Sequence, residues 1–323
     1  MLTYFLFIIG FIILIKGADL LVEGASSIAK RLHISDIVIG LTIVALGTSA
    51  PEFIVNALAS YYGNSDLAIS NIIGSNIANT FLALGLAAIT ANLVVKKDTF
   101  RKEIPISLVA AILVLFFAND QWINALRIPT ISRYEGIIFI ICFLLFMRYT
   151  FRLAKKERDT ITVPDTIRPL WLSILFIILG LLGLGFGGDW IVDGAIKIAL
   201  QLGMTESLIG LSIVAIGTSF PEIVTCVVAA KKGKTDLAIG NAVGSNIFNI
   251  FWVLGLSAII RPLEFNLASN FDVLVNIFSS ILLLFFILAW NKERTIKRYH
   301  GIIFIVFYAL YLGYSIKNGL IVG

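Results

Sequence analysis

Long apolar runs follow one another along the whole chain, separated by short polar stretches. Ten of them approach or exceed the ~20 residues a helix needs to cross ~30 Å of hydrocarbon. They lie at 3–28, 36–61, 67–92, 103–119, 134–152, 170–196, 206–230, 237–260, 271–290 and 299–316. No stretch between them is long enough to hold a further domain. The expected fold class is all-α and integral to a membrane, with ten transmembrane helices. The opening MLTYFLFIIGFIILI lacks a basic leader and a small-residue cleavage site, so it reads as an uncleaved first span.

Within this pattern the polar positions repeat. GLTIVALGTSAPE at 40–52 returns as GLSIVAIGTSFPE at 210–222, and SNIIGSNIANTFLALGL at 70–86 as GNAVGSNIFNIFWVLGL at 240–256. Counted from Gly40 and Gly210, 26 of 47 aligned positions are identical. The 170-residue offset covers five crossings, an odd number, so the second copy enters the membrane in the opposite direction. Two inverted five-helix repeats are expected, 1–151 and 170–323, joined by a cytoplasmic connector at 152–169. Such repeats are a recurrent plan of secondary transporters, because exchanging the conformations of the halves opens a central site to alternate sides.

Composition agrees with the pattern: 59% of residues are apolar and 14% charged, with a mean hydropathy of +0.96. The net charge of +5 matters through its placement. Taking the N-terminus as outside, only Arg127, Arg133, Lys197, Arg261 and Lys317 fall outside and Lys16 within the first span, leaving 19 of 25 basic residues in cytoplasmic segments. The positive-inside rule then places both termini outside. A pI near 9.1 is accounted for in this way, without a nucleic-acid partner.

The repeated motif carries the candidate chemistry. Pro51 cannot donate to the carbonyl of Gly47, nor Pro221 to that of Gly217, so helices 2 and 7 are expected to be broken. Freed carbonyls are tolerated at membrane depth only where protein, water or ions satisfy them. A proline kink with Thr48, Ser49, Thr218 and Ser219 bonding back to the helix is the plainer reading of each break. Glu52 and Glu222 follow the breaks, and two buried carboxylates repel unless a cation neutralises them or both stay protonated as structural donors. A calcium ion suits the charge and the 6 to 8 oxygen ligands such a site offers; zinc and copper lack nearby His or Cys.

The next span of each half carries Asn71, Ser75, Asn76 and Asn79, matched by Asn241, Ser245, Asn246 and Asn249. One Ser/Asn pair per half, Ser75 with Asn79 and Ser245 with Asn249, is read as ligands on one helix face. Gly74, Gly244, Asn71 and Asn76 are assigned to helix packing. Asp19 and Glu23, answered by Asp189 and Asp193, are expected to meet neighbouring loops or to funnel cations. Asp66 and Asp236 read as helix N-caps. Cys142 and Cys226 fall inside spans and carry no functional signal, and no spacing of nucleophile and base points to an enzyme.

With GTSAPE and GSNIAN in one half and GTSFPE and GSNIFN in the other, the chain resembles the calcium/cation antiporter superfamily, in its prokaryotic sodium/calcium exchanger-like branch. The resemblance covers essentially the whole chain. It implies a carrier in a cytoplasmic membrane in which calcium and sodium compete for overlapping central sites while helices 1 and 6 slide across the rest. On that resemblance Glu52 and Glu222 are shared ligands, and Thr48 and Thr218 offer carbonyls to calcium. Sodium adds the Ala45 and Ala215 carbonyls with Ser49, Ser219, Ser75 and Ser245, and Asn79 and Asn249 stand at the centre. Some members have aspartate at the last position; asparagine at both removes a third carboxylate and with it the basis for potassium co-transport. The proton-coupled branch carries GN-x-x-E where this chain has GSN, and His33 and His300 lie outside the repeated motifs. Sodium-driven calcium export, without cofactor or obligatory protein partner, is therefore expected. Proton-coupled antiport and a cation channel are the alternatives; channels usually build filters as rings from several subunits.

Overall fold

A computed structural model describes residues 2–119, 128–157, 168–201, 215–289 and 294–318. Helix α1 (Leu2–Leu32) is followed by the pair α2 (Asp36–Thr48) and α3 (Ala50–Tyr62), then α4 (Ser65–Thr90), α5 (Ile104–Phe117) and α6 (Arg133–Glu157). The second half holds α7 (Leu170–Gln201), the short α8 (Ala215–Gly217), α9 (Phe220–Lys231), α10 (Thr235–Ile260), α11 (Asn270–Ala289) and α12 (Arg298–Asn318). Among the described residues, seven helices are long and apolar enough to cross a membrane, or eight if the bent pair α2–α3 forms one span. The predicted segment 103–119 contains α5, which at 14 residues is not among them. Of 206–230, the part before Ala215 lies outside the described residues, as does 158–167 of the connector.

Helix α1 ends without glycine. His33 takes φ +57°, and Ile34 N–H reaches back to the Ala29 carbonyl at 3.0 Å. After α3 and α9 the same stop uses Gly63 (φ +82°) and Gly233 (φ +72°), where the left-handed conformation favours a residue without Cβ. These two glycines stand 170 residues apart, so the duplication extends to the chain reversals.

The most enclosed helices are α4 and α10, with 78% of their apolar windows buried, against 33% for α1 and 22% for α7. Helices α1 and α7 instead lie against each other as a pair. Their antiparallel contact runs through Gly10 on Gly187, Gly17 on Gly180 and Gly24 on Ser173. A Cβ at Gly17 would stand 2.8 Å from the Gly180 oxygen. Small residues here let two backbones approach to a distance no larger side chain permits. Gly40 of α2 and Gly240 of α10 do the same between halves: a Cβ on Gly240 would lie 2.7 Å from the Ile37 oxygen.

Two tiny antiparallel ladders also cross between the halves. β1 (Leu93–Val94) pairs with β4 (Thr295–Ile296), and β2 (Thr130–Ile131) pairs with β3 (Leu263–Glu264). Each ladder joins the strand after the third predicted span of one half to the strand before the fifth span of the other. The interleaving makes one core to which both halves contribute.

Candidate cation site

The break between α2 and α3 falls at Ser49 (φ −83°, ψ 9°), where the axis turns by 48°. Pro51 sits in the first turn of α3, where its missing N–H leaves no bond unmade. Ser219 (φ −86°, ψ 0°) and Pro221 repeat this before α9. Restarting a helix at the proline puts Glu52 and Glu222 in the first turns of α3 and α9, where the positive end of the helix dipole favours a carboxylate.

Both glutamates are fully buried. The Glu222 Oε1 accepts from Ser49 Oγ at 2.9 Å and from Ser245 Oγ at 3.4 Å, and the Glu52 Oε1 accepts from Ser75 Oγ at 3.3 Å. The second oxygen of each carboxyl has no hydrogen-bond partner. No lysine, arginine or histidine among the described residues pairs with either. Ser75 and Asn79 line up on α4 and Ser245 and Asn249 on α10, all fully buried. A π-helical turn starts at Asn79 (Asn79–Ala83) and another at Asn249 (Asn249–Leu254), displacing the helical register at equivalent points of the two central helices.

Further buried polar atoms without a partner are the Asn79 amide nitrogen and oxygen, the Asn249 Oδ1 and the Ser219 Oγ. Such atoms are each unfavourable by about 1–3 kcal/mol unless something else satisfies them. Ala45 is buried within α2, and Ala215 opens α8. Thr48 Oγ1 lies 3.1 Å from both the Val44 carbonyl and Asn241 Oδ1, and half-buried Thr218 donates to Asn71 Oδ1 at 3.3 Å. The bonds from Ser49 to Glu222 and from Thr48 to Asn241 tie the first break to the second half, and Thr218 to Asn71 ties the second break to the first.

Several sequence expectations shift. Asn71 does not merely pack; it accepts from Thr218. Asn76 does pack across the halves, donating to the Asn246 carbonyl at 3.2 Å while accepting from Asn249 Nδ2 at 3.0 Å. Gly244 is pressed against Leu41, whereas a Cβ on Gly74 meets nothing within 4 Å. The cap of α4 is Asn64, which accepts from Leu67 N–H at 3.1 Å; Asp66 and Asp236 sit in first turns, and Asp236 pairs with Lys96 at 2.7 Å. Asp19 and Glu23 meet a neighbouring loop, both pairing with Lys232, and Glu23 also with Arg168. Cys226, dismissed on sequence, donates to the Ala238 carbonyl and accepts from Asn241. Two acid–phenol bonds, Glu103 with Tyr149 and Asp272 with Tyr311, were missed altogether; the 169-residue spacing of the two acids was the available signal.

A sequence model described as sodium/calcium exchanger protein matches residues 2–152 and 172–317. CaxA of Alkalimonas amylolytica is 38% identical over 95% of this chain and 96% of its own. The sodium/calcium exchanger MaX1 of Methanosarcina acetivorans is 33% identical over 96% and 97%. A solved structure of the sodium-calcium exchanger NCX_Mj, soaked with Na+ and Ca2+, superposes with a TM-score of 0.82 at 32% identity, covering 97% of this chain and 98% of that one.

Proposed function

This chain belongs to the sodium/calcium exchanger protein family, and from that premise we propose that it exchanges calcium for sodium by alternating access at a site centred on Glu52 and Glu222. The observation that carries the reading is the pair of fully buried carboxyls, each with an oxygen lacking a hydrogen-bond partner and neither matched by a cationic side chain among the described residues. Leaving one ionised carboxyl uncompensated at membrane depth is unfavourable by several kcal/mol, and a transported cation supplies the missing charge.

Calcium is held by the two glutamates with the Thr48 and Thr218 carbonyls. Sodium uses the same carboxyls with the Ala45 and Ala215 carbonyls and with Ser49, Ser219, Ser75 and Ser245, while Asn79 and Asn249 stand between. Shared ligands make the two ions compete, and the bare carboxyl pair resists crossing alone, so one ion leaves only as the other returns. The scaffold is ten crossings in two inverted halves, 1–151 and 170–323, with both termini outside the cytoplasmic membrane. The cross-half ladders and the matched breaks support that arrangement.

The test is calcium-45 uptake into proteoliposomes loaded with sodium, potassium or choline, at fixed pH and then across a pH gradient. Uptake driven by internal sodium and lost in both E52Q and E222Q is the expected result. Uptake driven only by the pH gradient, or flux needing no counter-ion, overturns it.

A further inference from the structure

Asn71 and Asn241 each lie within a hydrogen-bond chain that starts on a backbone carbonyl, and a carbonyl can only accept. In the first half Asn56 Nδ2 donates to the Ala68 carbonyl at 2.7 Å. That turns the Asn56 oxygen to Asn71, whose Nδ2 donates to it at 2.6 Å. The Asn71 oxygen is thereby left for the Thr218 hydroxyl. The second half repeats the chain with a thiol in place of the first amide. Cys226 Sγ donates to the Ala238 carbonyl at 3.3 Å and accepts from Asn241 Nδ2 at 3.4 Å, and the Asn241 oxygen faces the Thr48 hydroxyl. In the first half the first link sets the direction of the rest; in the second Asn241 Nδ2 donates both to Cys226 and to the Glu222 backbone carbonyl at 3.4 Å, so neither amide is free to flip.

The end of each chain lies on the break of the opposite half. A threonine hydroxyl has one hydrogen, and Thr48 Oγ1 also stands 3.1 Å from the Val44 carbonyl and 3.4 Å from the Ala45 carbonyl. A hydrogen given to Asn241 is one not given to those carbonyls. We propose that Asn71 and Asn241 are positioning residues for exchange: each draws the threonine hydroxyl of the opposite break onto itself and so keeps the carbonyls of that break available to the cation. The role rests on the reading of the breaks as ion ligands given above. Sulfur is a weak donor and acceptor, which makes the chain through Cys226 the softer of the two.

The experiment measures half-saturating calcium, half-saturating sodium and maximal rate in proteoliposomes for the wild type, N241A, T48V, their double variant, C226A and C226S. Losing one hydrogen bond of about 1.4 kcal/mol raises half-saturating sodium about tenfold in N241A, since the Ala45 carbonyl is a sodium ligand, with the maximal rate within about twofold. T48V added to N241A brings the value back toward that of the wild type, because valine has no hydrogen to give the carbonyls. C226A raises the value by about threefold, on the order of half such a bond, while C226S, which keeps a donor and an acceptor, does not. If N241A fails to fold, the contrast of C226A with C226S decides, since that position is one link removed from the threonine. A rise in N241A that T48V leaves in place, or equal effects of C226A and C226S, overturns the role. E222Q separates the two levels: uptake that survives E222Q sinks the ion-site reading and the relay with it, whereas uptake lost in E222Q alongside an N241A rise that T48V leaves in place sinks the relay alone.

Discussion

At the second break Glu222 accepts a hydroxyl from Ser245 of its own half and another from Ser49 across the interface, whereas at the first break Glu52 accepts from Ser75 of its own half. The counterpart of Ser49 is Ser219, and its buried hydroxyl has no partner. The residues are the same in both copies, GTS followed by PE, yet the bonds are not. The serines thus mark a difference between two copies of one motif. The duplication therefore supplies two equivalent sets of polar residues, and the tertiary structure decides which of them bond a glutamate.

The most damaging way to test that comparison is to remove either carboxylate. E52Q and E222Q are each expected to lower sodium-dependent calcium uptake by about two orders of magnitude or more, since one remaining charge cannot neutralise a divalent ion at membrane depth. Equal loss in both marks the carboxyls as one site despite their unequal bonds. Next comes the glycine contact of α1 with α7. G17V forces a side chain to within 2.8 Å of backbone and should destabilise the protein by about 1–3 kcal/mol, read as a lower melting temperature in detergent. G74A, where a Cβ meets nothing, should leave that temperature unchanged.

The serines sharpen the contrast at a smaller scale. S49A is expected to raise half-saturating sodium about fivefold, in line with one lost hydrogen bond to a buried carboxyl, and S219A less than about twofold. Equal effects would mean that the difference between the breaks has no bearing on binding. The smallest effect belongs to Lys232. Burial works against its charge, but its bonds to Glu23 and Asp19 outweigh that and hold the ammonium above the usual lysine range. A raised value means the pairing is fully present at neutral pH and fades only as alkaline pH passes through the folded value. K232Q should therefore lower the melting temperature slightly at pH 7 and progressively less above pH ~10.

Much of the site was legible in the chain itself. Pro51 and Pro221 announced the breaks, because a missing N–H has the same consequence wherever a helix meets it, and Glu52 and Glu222 stood out as charges inside apolar runs. Other features were hidden by the way partners are chosen. Asn71 and Asn76 look alike on paper, yet one meets a hydroxyl on the opposite break and the other a backbone carbonyl on the facing helix. Gly74 and Gly244 occupy the same place in the motif, and one of them is pressed against a neighbour.

The sequence by itself determined the apolar runs, their duplication and the polar residues placed at each break. Bilayer thickness and backbone chemistry act on local composition and need no knowledge of the neighbours. The tertiary structure alone decided that Ser49 rather than Ser219 bonds a glutamate, that α1 and α7 meet backbone to backbone, and that Cys226 takes the place of Asn56 in a relay. Those bonds join residues 147 to 193 positions apart or depend on which helix faces which, and a hydrogen bond reaches only about 3 Å.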